Sequence, residues 1–484
     1  MTKTRQYFAF LALPIATFLA CAIFLQTKKT LWVDECYTYY GISHDNLGDF
    51  IDSICSGINF SPPLYFFLNW IIQLVFHLPI EALRVESALW ISLGSLIVLV
   101  RCAKIFGFLP AFIGCTLVIS QSNLLLEQAL EARHYGLFFA CSCLILCLFP
   151  ENLKFESQTR KTLYFISLIA LGMTHYLGVI FCAFAFGTRL WFIRKDSLKF
   201  NLLLPEVTSI TVITTINLVM LSMQSSHLNT WEKNNSLANL LNNYTGSIHL
   251  LTILIPIIIF TSSKARSIPT RNRVKFPKLV TLSIIWFLTP LFFWIISHCS
   301  TLNLFEDRYF IPKEAAVMIL ISFLLQRFIP KVNKFDSYLI IKVLPLGGTL
   351  LLSISLLLLS SKRILFGLDS SLDYHHKLLS GKEIVNNPVP KLYSGDHLFF
   401  PNNYLSESNS DLRLIINNEK LSEIYRRFNS SIKTQTILES EPQPFILYVD
   451  RIIPSVDSGK IKLGREIETN GLISAYEIEI IKQE

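Results

Sequence analysis

The stretch YFAFLALPIATFLACAIFLQ, residues 7–26, carries no charged side chain and lies close to the start of the chain. A helix of this length rises about 30 Å at 1.5 Å per residue, which matches the hydrocarbon core of a bilayer. Its apolar part is longer than the apolar region of a secretory signal, and no small-x-small cleavage site follows it. We therefore expect a retained first membrane span.

The overall composition extends this expectation to the whole chain. Of the 484 residues, 51% are hydrophobic and only 16% are charged, whereas soluble domains carry about 25% charged residues. The net charge of +8 does not indicate a nucleic-acid partner, because the basic residues cluster in short loops between apolar runs, as on the cytoplasmic side of membrane proteins. The composition predicts an integral membrane protein whose surroundings are membrane lipids.

Further apolar runs predict ten more spans, at residues 88–100, 108–122, 135–149, 163–174, 176–193, 202–223, 248–261, 279–297, 315–328 and 338–360. One other apolar run, residues 64–78, would form a helix of only about 22 Å. Its polar residues Asn69, Gln73 and His77 recur every four positions and so form a single stripe. We predict a juxtamembrane helix that lies in the membrane interface, with this stripe on its wet side.

The distribution of basic residues among alternate loops supports eleven spans rather than twelve. With Lys3 and Arg5 in the cytoplasm and residues 64–78 not crossing, every strongly basic short loop falls inside. The loops that carry acidic residues, including the first loop at 27–86, then face the outside or the periplasm of a bacterial plasma membrane. Cys36 and Cys55 share this first loop, and the sequence leaves open whether they form a disulfide.

The composition changes near residue 362. The turn clusters VNNPVPK (385–391) and FFPNNYL (399–405) alternate with β-like runs such as PFILYVDRII (444–453) and ISAYEIEII (473–481). We expect a transmembrane domain at 1–361, followed by a small α/β domain at 362–484 on the outer face.

The predicted topology gathers ionisable residues of distant loops on the outer face. An acid at the membrane surface can deprotonate a hydroxyl nucleophile or hold a divalent metal beside a phosphate. A guanidinium group can neutralise a departing phosphate with paired hydrogen bonds. The candidates on the outer face are Asp34, Glu35, Glu131, Arg133, His175 and Arg308.

Five motifs in this order carry a resemblance: LWVDECYTYY (31–40), SPPLYFFLNW (61–70), LEARHYGLFFA (130–140), THYLG (174–178) and DRYFIP (307–312). Over residues 1 to 330 the chain resembles the GT-C class of membrane glycosyltransferases. The branch is the bacterial dolichyl-phosphate-mannose-protein mannosyltransferase-like one (family 39 type), which also contains aminoarabinose transferases of lipid A. The resemblance implies an all-α polytopic GT-C fold with juxtamembrane helices, a polyprenyl-phosphate sugar as donor and action on the outer face.

The resemblance also implies roles for individual residues. The catalytic carboxylates would be Asp34, Glu35 and Glu131. Asp34 would be the base of a single displacement with inversion, and Glu35 would be a supporting contact or metal ligand. Neighbouring residues point in different directions, so Asp34 and Glu35 are not expected to face the same group. The donor phosphate would be bound by Arg133, Arg308 and His175. The substrate contacts would be Tyr37, His134 and Tyr309.

Simpler interpretations stay open at this point. The acidic pair also fits the first turn of a helix, and His175 fits a helix end. Arg308 fits a side chain that snorkels to the lipid headgroups, and Tyr37 fits an aromatic belt at the membrane interface. A need for a divalent metal, with Glu35 and His175 as candidate ligands, is left open.

The main functional alternative is a polytopic transporter or flippase of lipid-linked saccharides. Such proteins place ionisable residues near the membrane midplane and often show inverted repeats. Here the charged residues lie at span ends, and no repeat is visible. The acceptor, whether lipid, glycan or protein, is not indicated.

Overall fold

The computed structural model describes residues 3–27, 29, 32–150, 157–196, 203–224, 236–241, 243–244, 277–300 and 305–328, together with six strand segments between 391 and 480. In the first 150 residues the helices are α1 Lys3–Gln26, α2 Val33–Ile42, α3 Leu47–Cys55, α4 Leu64–Phe76, α5 Ile80–Phe106, α6 Phe108–Gln121, α7 Asn123–Ala129 and α8 Tyr135–Leu148. Beyond them follow α9 Gln158–Thr174, α10 Gly178–Lys195, α11 Leu204–Gln224, α12 Lys278–Phe287, α13 Thr289–Cys299 and α14 Ile311–Phe328, the last preceded by a 3₁₀ turn at Asp307–Phe310.

Side-chain caps fix where several of these helices begin. Asn46 Oδ1 accepts a hydrogen bond from the backbone N–H of Asp49 at the start of α3, at 2.9 Å. Ser122 Oγ accepts from the N–H of Leu125 at the start of α7, at 3.2 Å. These caps satisfy backbone donors that the first helical turn leaves without a partner.

Small residues allow the central helices to approach closely. A Cβ atom at Gly136 of α8 would lie 2.7 Å from the carbonyl oxygen of Ser87 in α5, and one at Gly114 of α6 would lie 2.7 Å from Ser322 Oγ in α14. Close helix approach through small residues is the usual packing mode within a bilayer. It places the start of α8, and the turn before it, directly against α5.

Four helical stretches of the described residues are long and apolar enough to cross a membrane: Ile80–Phe106, Glu206–Gln224, Lys278–Cys299 and Asp307–Arg327. Helices α6 and α7, bent by 67° relative to each other, would together make a fifth. This confirms a helical protein with several span-like helices. The number eleven stays a prediction, because two predicted spans, 248–261 and 338–360, lie outside the described residues.

The second predicted span begins earlier than expected. Helix α5 starts at Ile80, directly after Pro79 and eight residues before the predicted span at 88–100. Helix α5 therefore includes residues 80–86 of the predicted first outer loop, whose bounds of 27–86 stay a prediction.

The orientation predicted for α4 is wrong for Asn69 and Gln73, whereas His77 is exposed as predicted. Asn69 and Gln73 are only 1% and 7% exposed, whereas Val75 and Phe76 are each 65% exposed. Asn69 Nδ2 lies 3.4 Å from Glu86 Oε1 of α5, so the amide stripe faces the protein. An outward apolar face is what a juxtamembrane position would produce, because such a helix has lipid, and not only water, as its surroundings.

Cys36 and Cys55, for which the sequence left a disulfide open, are not bonded to each other. Cys55 Sγ instead lies 3.8 Å from Met223 Sδ at the end of α11.

Six strands near the end of the chain form one sheet of order β3-β2-β1-β4-β6-β5. Their bounds are β1 Lys391–Tyr393, β2 Leu412–Ile415, β3 Thr434–Gln435, β4 Pro444–Asp450, β5 Ile461–Thr469 and β6 Ile473–Ile480. Strands β1 to β4 pair in parallel, and β6 pairs antiparallel with both β4 and β5. Parallel neighbours need crossover connections, and the segments that would supply them lie outside the described residues.

Candidate active site

Asp34 lies between two guanidinium groups that come from distant parts of the chain. Its Oδ2 accepts a hydrogen bond from Nη1 of Arg308 at 3.1 Å and lies 3.6 Å from Nη2 of Arg133. The carboxylate is in the first turn of α2 and its side chain is 15% exposed. Burial would raise the pKa of Asp34, but the charges of Arg133 and Arg308 outweigh that effect and hold the pKa below its ordinary value. Asp34 is therefore an ionised, partly exposed carboxylate.

Arg133 is fixed by further contacts around the same site. Its Nη1 donates to the backbone carbonyl of Asp34 at 3.0 Å and to Oδ1 of Asn59 at 3.2 Å. The Asn59 amide nitrogen in turn donates to the carbonyl of Tyr37, one turn beyond Asp34 on α2, at 2.6 Å. Asn59 thus couples the position of Arg133 to the helix that carries Asp34.

Glu35 faces away from Asp34 and forms a buried ion pair. Its two carboxylate oxygens accept hydrogen bonds from Nε and Nη2 of Arg84 in α5, each at 2.7 Å. Backbone N–H groups of Trp32 and Ala132 donate to the same carboxylate at 3.0 and 2.9 Å. Burial alone would raise the pKa of Glu35, but these contacts lower it. The contacts favour the supporting role over direct participation in chemistry.

Arg84 extends this pair into a clamp between distant segments. Its Nη1 donates to the carbonyl oxygens of Gln26 and Lys29 at 3.3 and 2.8 Å. The Gln26 amide nitrogen then donates to the carbonyls of Arg84 and Ala129. The Glu35–Arg84 clamp joins the end of α1, the start of α2, α5 and the turn before α8.

Glu131 lies near the clamp but contacts a different cation. Its Oε1 is 3.1 Å from Lys29 Nζ, and the two side chains are 20% and 15% exposed. The backbone carbonyl of Glu131 accepts from the N–H of Arg133. Glu131 therefore shares the turn that positions Arg133, and its predicted catalytic role stays a prediction.

The predicted histidines and Tyr309 form an aromatic wall beside the guanidinium groups. The His175 ring lies 5.2 Å from that of His134 and 5.0 Å from that of Tyr309. His134 is 2% exposed, and neither of its ring nitrogens has a hydrogen-bond partner within the described part of the chain. Since a neutral imidazole carries one N–H donor, a ligand or water is expected to satisfy it.

The geometry does not fit a metal ion on the two candidate ligands. Both oxygens of Glu35 are engaged by N–H donors. His175 Nδ1 accepts the N–H of Leu177 at 3.1 Å, so the ring proton resides on Nε2 and leaves no lone pair for a metal. Within the part of the chain that the structure describes, no group of three or more His, Cys, Asp or Glu side chains is suited to a metal.

The two buried histidines are expected to make the protein less stable as the pH falls. Burial lowers the pKa of His175 to about 3, and the charges of Arg308 and Arg133 act in the same direction. Burial, assisted by His175, also holds the pKa of His134 well below its ordinary value. An unfolded histidine titrates near 6.5, so the contribution of neutral His175 is complete above about pH 6.5 and decreases as the pH falls toward 3.

We expect the thermal unfolding midpoint in detergent to fall between pH 7 and pH 5. We expect a smaller fall for His175→Gln, because Gln cannot take up a proton on unfolding. Equal slopes for the two proteins would contradict a buried neutral His175.

The sequence predicts one site for Asp34, Arg133, His134, His175, Arg308 and Tyr309, and the structure brings these side chains together. Three residues that hold the site were not predicted: Arg84, Asn59 and Lys29. A signal existed for Arg84, since an arginine at the start of an apolar helix usually has an acidic partner. No pattern in the sequence indicates a role for Asn59.

Three short helices, α2, α3 and α4, lie between α1 and α5, and the acidic pair is in the first turn of α2. This arrangement, together with the match to solved structures, confirms the GT-C fold expected from the five motifs.

Two solved structures show the same arrangement, and both are of ArnT from Cupriavidus metallidurans. The apo structure matches with a TM-score of 0.64 at 13% sequence identity and covers 99% of this chain and 98% of that chain. The structure bound to undecaprenyl phosphate matches with a TM-score of 0.61 at 12% identity and covers 98% of each chain. At these identities the likeness establishes the fold. No protein-family model and no curated sequence matches the chain.

Proposed function

We propose that the protein is a membrane glycosyltransferase. It transfers a sugar from a polyprenyl-phosphate donor to a lipid, glycan or protein acceptor, with inversion, at the outer face of a bacterial plasma membrane. One observation carries the proposal: a carboxylate, Asp34, lies in contact with two arginines, Arg133 and Arg308. The chain has the fold of a protein whose structure contains undecaprenyl phosphate.

The charge arrangement fits a phosphate-bearing lipid. Arg133 and Arg308 supply planar guanidinium donors, which match the oxygens of a phosphate group. The outward apolar face of α4, with Val75 and Phe76, provides a surface for lipid chains beside the site. A lipid-linked donor needs both features, because its reacting bond cannot leave the headgroup region.

The chemistry follows from the same geometry. The acceptor's hydroxyl or amine attacks the anomeric carbon, and Asp34 takes its proton as the new bond forms. The bond between that carbon and the phosphate oxygen breaks, and its electron pair stays on the polyprenyl phosphate. Arg133 and Arg308 stabilise the charge that develops on this leaving group. His134 and Tyr309 line the space where the sugar would lie.

The domain division belongs to this proposal as well. Residues 1–361 form the membrane domain with eleven spans, and residues 362–484 form an α/β domain outside the membrane. The six-stranded sheet with parallel strands β1 to β4 supports the second part, because parallel pairs normally enclose helical crossovers.

The direct test is transfer of label. Membranes that contain the protein are incubated with polyprenyl-phosphate sugars labelled in the sugar, and the labelled products are separated into lipid, glycan and protein. Incorporation that depends on the protein supports the proposal and identifies the acceptor. Movement of the intact donor across the membrane without transfer of its sugar would instead identify a carrier.

Removal of either guanidinium group is expected to impair the reaction strongly. We expect Arg133→Gln and Arg308→Gln each to lower the rate of transfer by about 100- to 1,000-fold, the usual effect of losing one donor to a developing oxyanion. Arg308→Lys keeps the charge but not the paired donors, so it should retain more activity than Arg308→Gln.

The matched control is Arg327→Gln, at the other end of α14, where the side chain lies over the Phe323 ring at 4.8 Å. It should leave the initial rate unchanged. Full activity of both Arg133→Gln and Arg308→Gln would contradict the assignment of the donor site.

A further inference from the structure

The base of the proposed reaction is in contact with both arginines of the proposed phosphate site. Both guanidinium groups contact the same carboxylate oxygen, Asp34 Oδ2, at 3.1 Å from Arg308 and 3.6 Å from Arg133. A carboxylate paired in this way is a weak proton acceptor, because each positive charge favours its ionised form. Asp34 therefore cannot accept the acceptor's proton readily while both contacts persist.

The two arginines are not held equally. Arg133 is anchored through Nη1 to the Asp34 carbonyl and to Asn59, and its side chain is 10% exposed. Arg308 is 20% exposed; its Nη1 contacts the Asp34 carboxylate, its Nε lies 3.8 Å from Glu306 Oε1, and its guanidinium carbon lies 5.9 Å from the centre of the Tyr135 ring. Of the two arginines, Arg308 has the more exposed side chain, so it is the one that a ligand reaches more easily.

We propose that the donor's phosphate group draws Arg308 away from Asp34 and thereby activates the base. This inference rests on the proposed function, since it assigns an order to events at the same site. Asp34 and the phosphate are two anions that compete for one guanidinium group. Donor binding is then required before the acceptor can be deprotonated.

The exchange also explains how the site resets. During transfer, the acceptor's proton moves to Asp34 and the polyprenyl phosphate leaves with the electron pair of the broken bond. While that phosphate holds Arg308, the neutral, protonated form of Asp34 is disfavoured less than when Arg308 contacts it. When the lipid phosphate departs, Arg308 returns to Asp34 and favours release of the proton to water. The site is again ionised and blocked.

Competition between two anions gives a test that does not require the acceptor. We would measure the dissociation constant of undecaprenyl phosphate for the full chain in nanodiscs, for wild type and for Asp34→Asn. Asn has nearly the same shape but no charge, so Arg308 becomes available to the phosphate. We expect Asp34→Asn to bind undecaprenyl phosphate about tenfold more tightly, which corresponds to about 1.4 kcal/mol.

A double variant separates this exchange from general repulsion between charges. In an Arg308→Gln background, Asp34→Asn should give no further gain in affinity, because the contested guanidinium is absent. A gain that persists in that background would overturn the exchange. Asp45→Asn, an exposed acid between α2 and α3, serves as the matched control and should leave the affinity unchanged.

The outcomes distinguish failure of the proposed function from failure of the Arg308 exchange. Failure of the wild-type protein to bind undecaprenyl phosphate would contradict the proposed function itself. Binding by wild type, with Asp34→Asn equal or weaker, would leave the function in place and reject the exchange of Arg308.

Discussion

Replacement of Asp34 by Asn is expected to lower the rate of sugar transfer by two to four orders of magnitude, about the contribution of a positioned general base. The Asn side chain has nearly the same shape as Asp, so the fold around the site is expected to be retained. What it loses is the ability to take a proton from the acceptor. The expected result is a folded protein that binds the lipid phosphate and does not turn over.

The initial rate of transfer of labelled sugar in membranes measures this effect. Asp34→Glu keeps the carboxylate on a longer side chain and should retain part of the activity, whereas Asp45→Asn should resemble wild type. If Asp34→Asn transferred sugar within tenfold of the wild-type rate, another group would have to be the base.

The largest loss of stability is expected at the Glu35–Arg84 clamp. The side chains of Glu35 and Arg84 are 0% and 2% exposed, and removal of one partner leaves an uncompensated charge in the interior. For Glu35→Gln we expect a decrease of about 3–5 kcal/mol in the free energy of unfolding. A double replacement, Glu35→Leu with Arg84→Met, should lose less than either single replacement, because no buried charge is left alone.

The thermal unfolding midpoint in detergent, compared at one protein concentration, tests this prediction. The control is Asp196→Asn in the ion pair with Lys278, where the Asp196 side chain is 40% exposed; such surface pairs contribute about 1 kcal/mol or less. A Glu35→Gln protein that unfolds at the wild-type temperature but is inactive would show that Glu35 takes part in chemistry.

Much of the candidate site could be predicted from the sequence. Apolar run lengths and the distribution of Lys and Arg fixed which loops share a face, so Asp34, Arg133, His175 and Arg308 could be grouped although they span most of the membrane domain. The different directions of Asp34 and Glu35 also followed from elementary geometry.

What could not be predicted are the pairings that depend on three-dimensional packing. Arg84 lies only four residues after Ile80, where α5 begins, and its partner Glu35 is 49 positions earlier in the sequence. No local pattern links the two. Asn59 is similar, because its contact with Arg133 spans 74 positions and is made by an amide, which has no charge to reveal it.

Helix α4 shows a second limit of sequence patterns. A four-residue repeat of Asn69, Gln73 and His77 identifies a polar stripe, but it does not say what the stripe faces. In water such a stripe normally faces the solvent. Beside a membrane the polar groups find partners in the protein, here Glu86 for Asn69, and the apolar side chains meet lipid.

The contact between Arg308 and Asp34 joins positions 274 residues apart. During synthesis Glu35, Arg84 and Arg133 are therefore all present in the chain before Arg308 is added. A truncated chain that ends before the 3₁₀ turn Asp307–Phe310 carries Asp34 and Arg133 but lacks Arg308. Under the proposed function, such a fragment is expected to be inactive in sugar transfer.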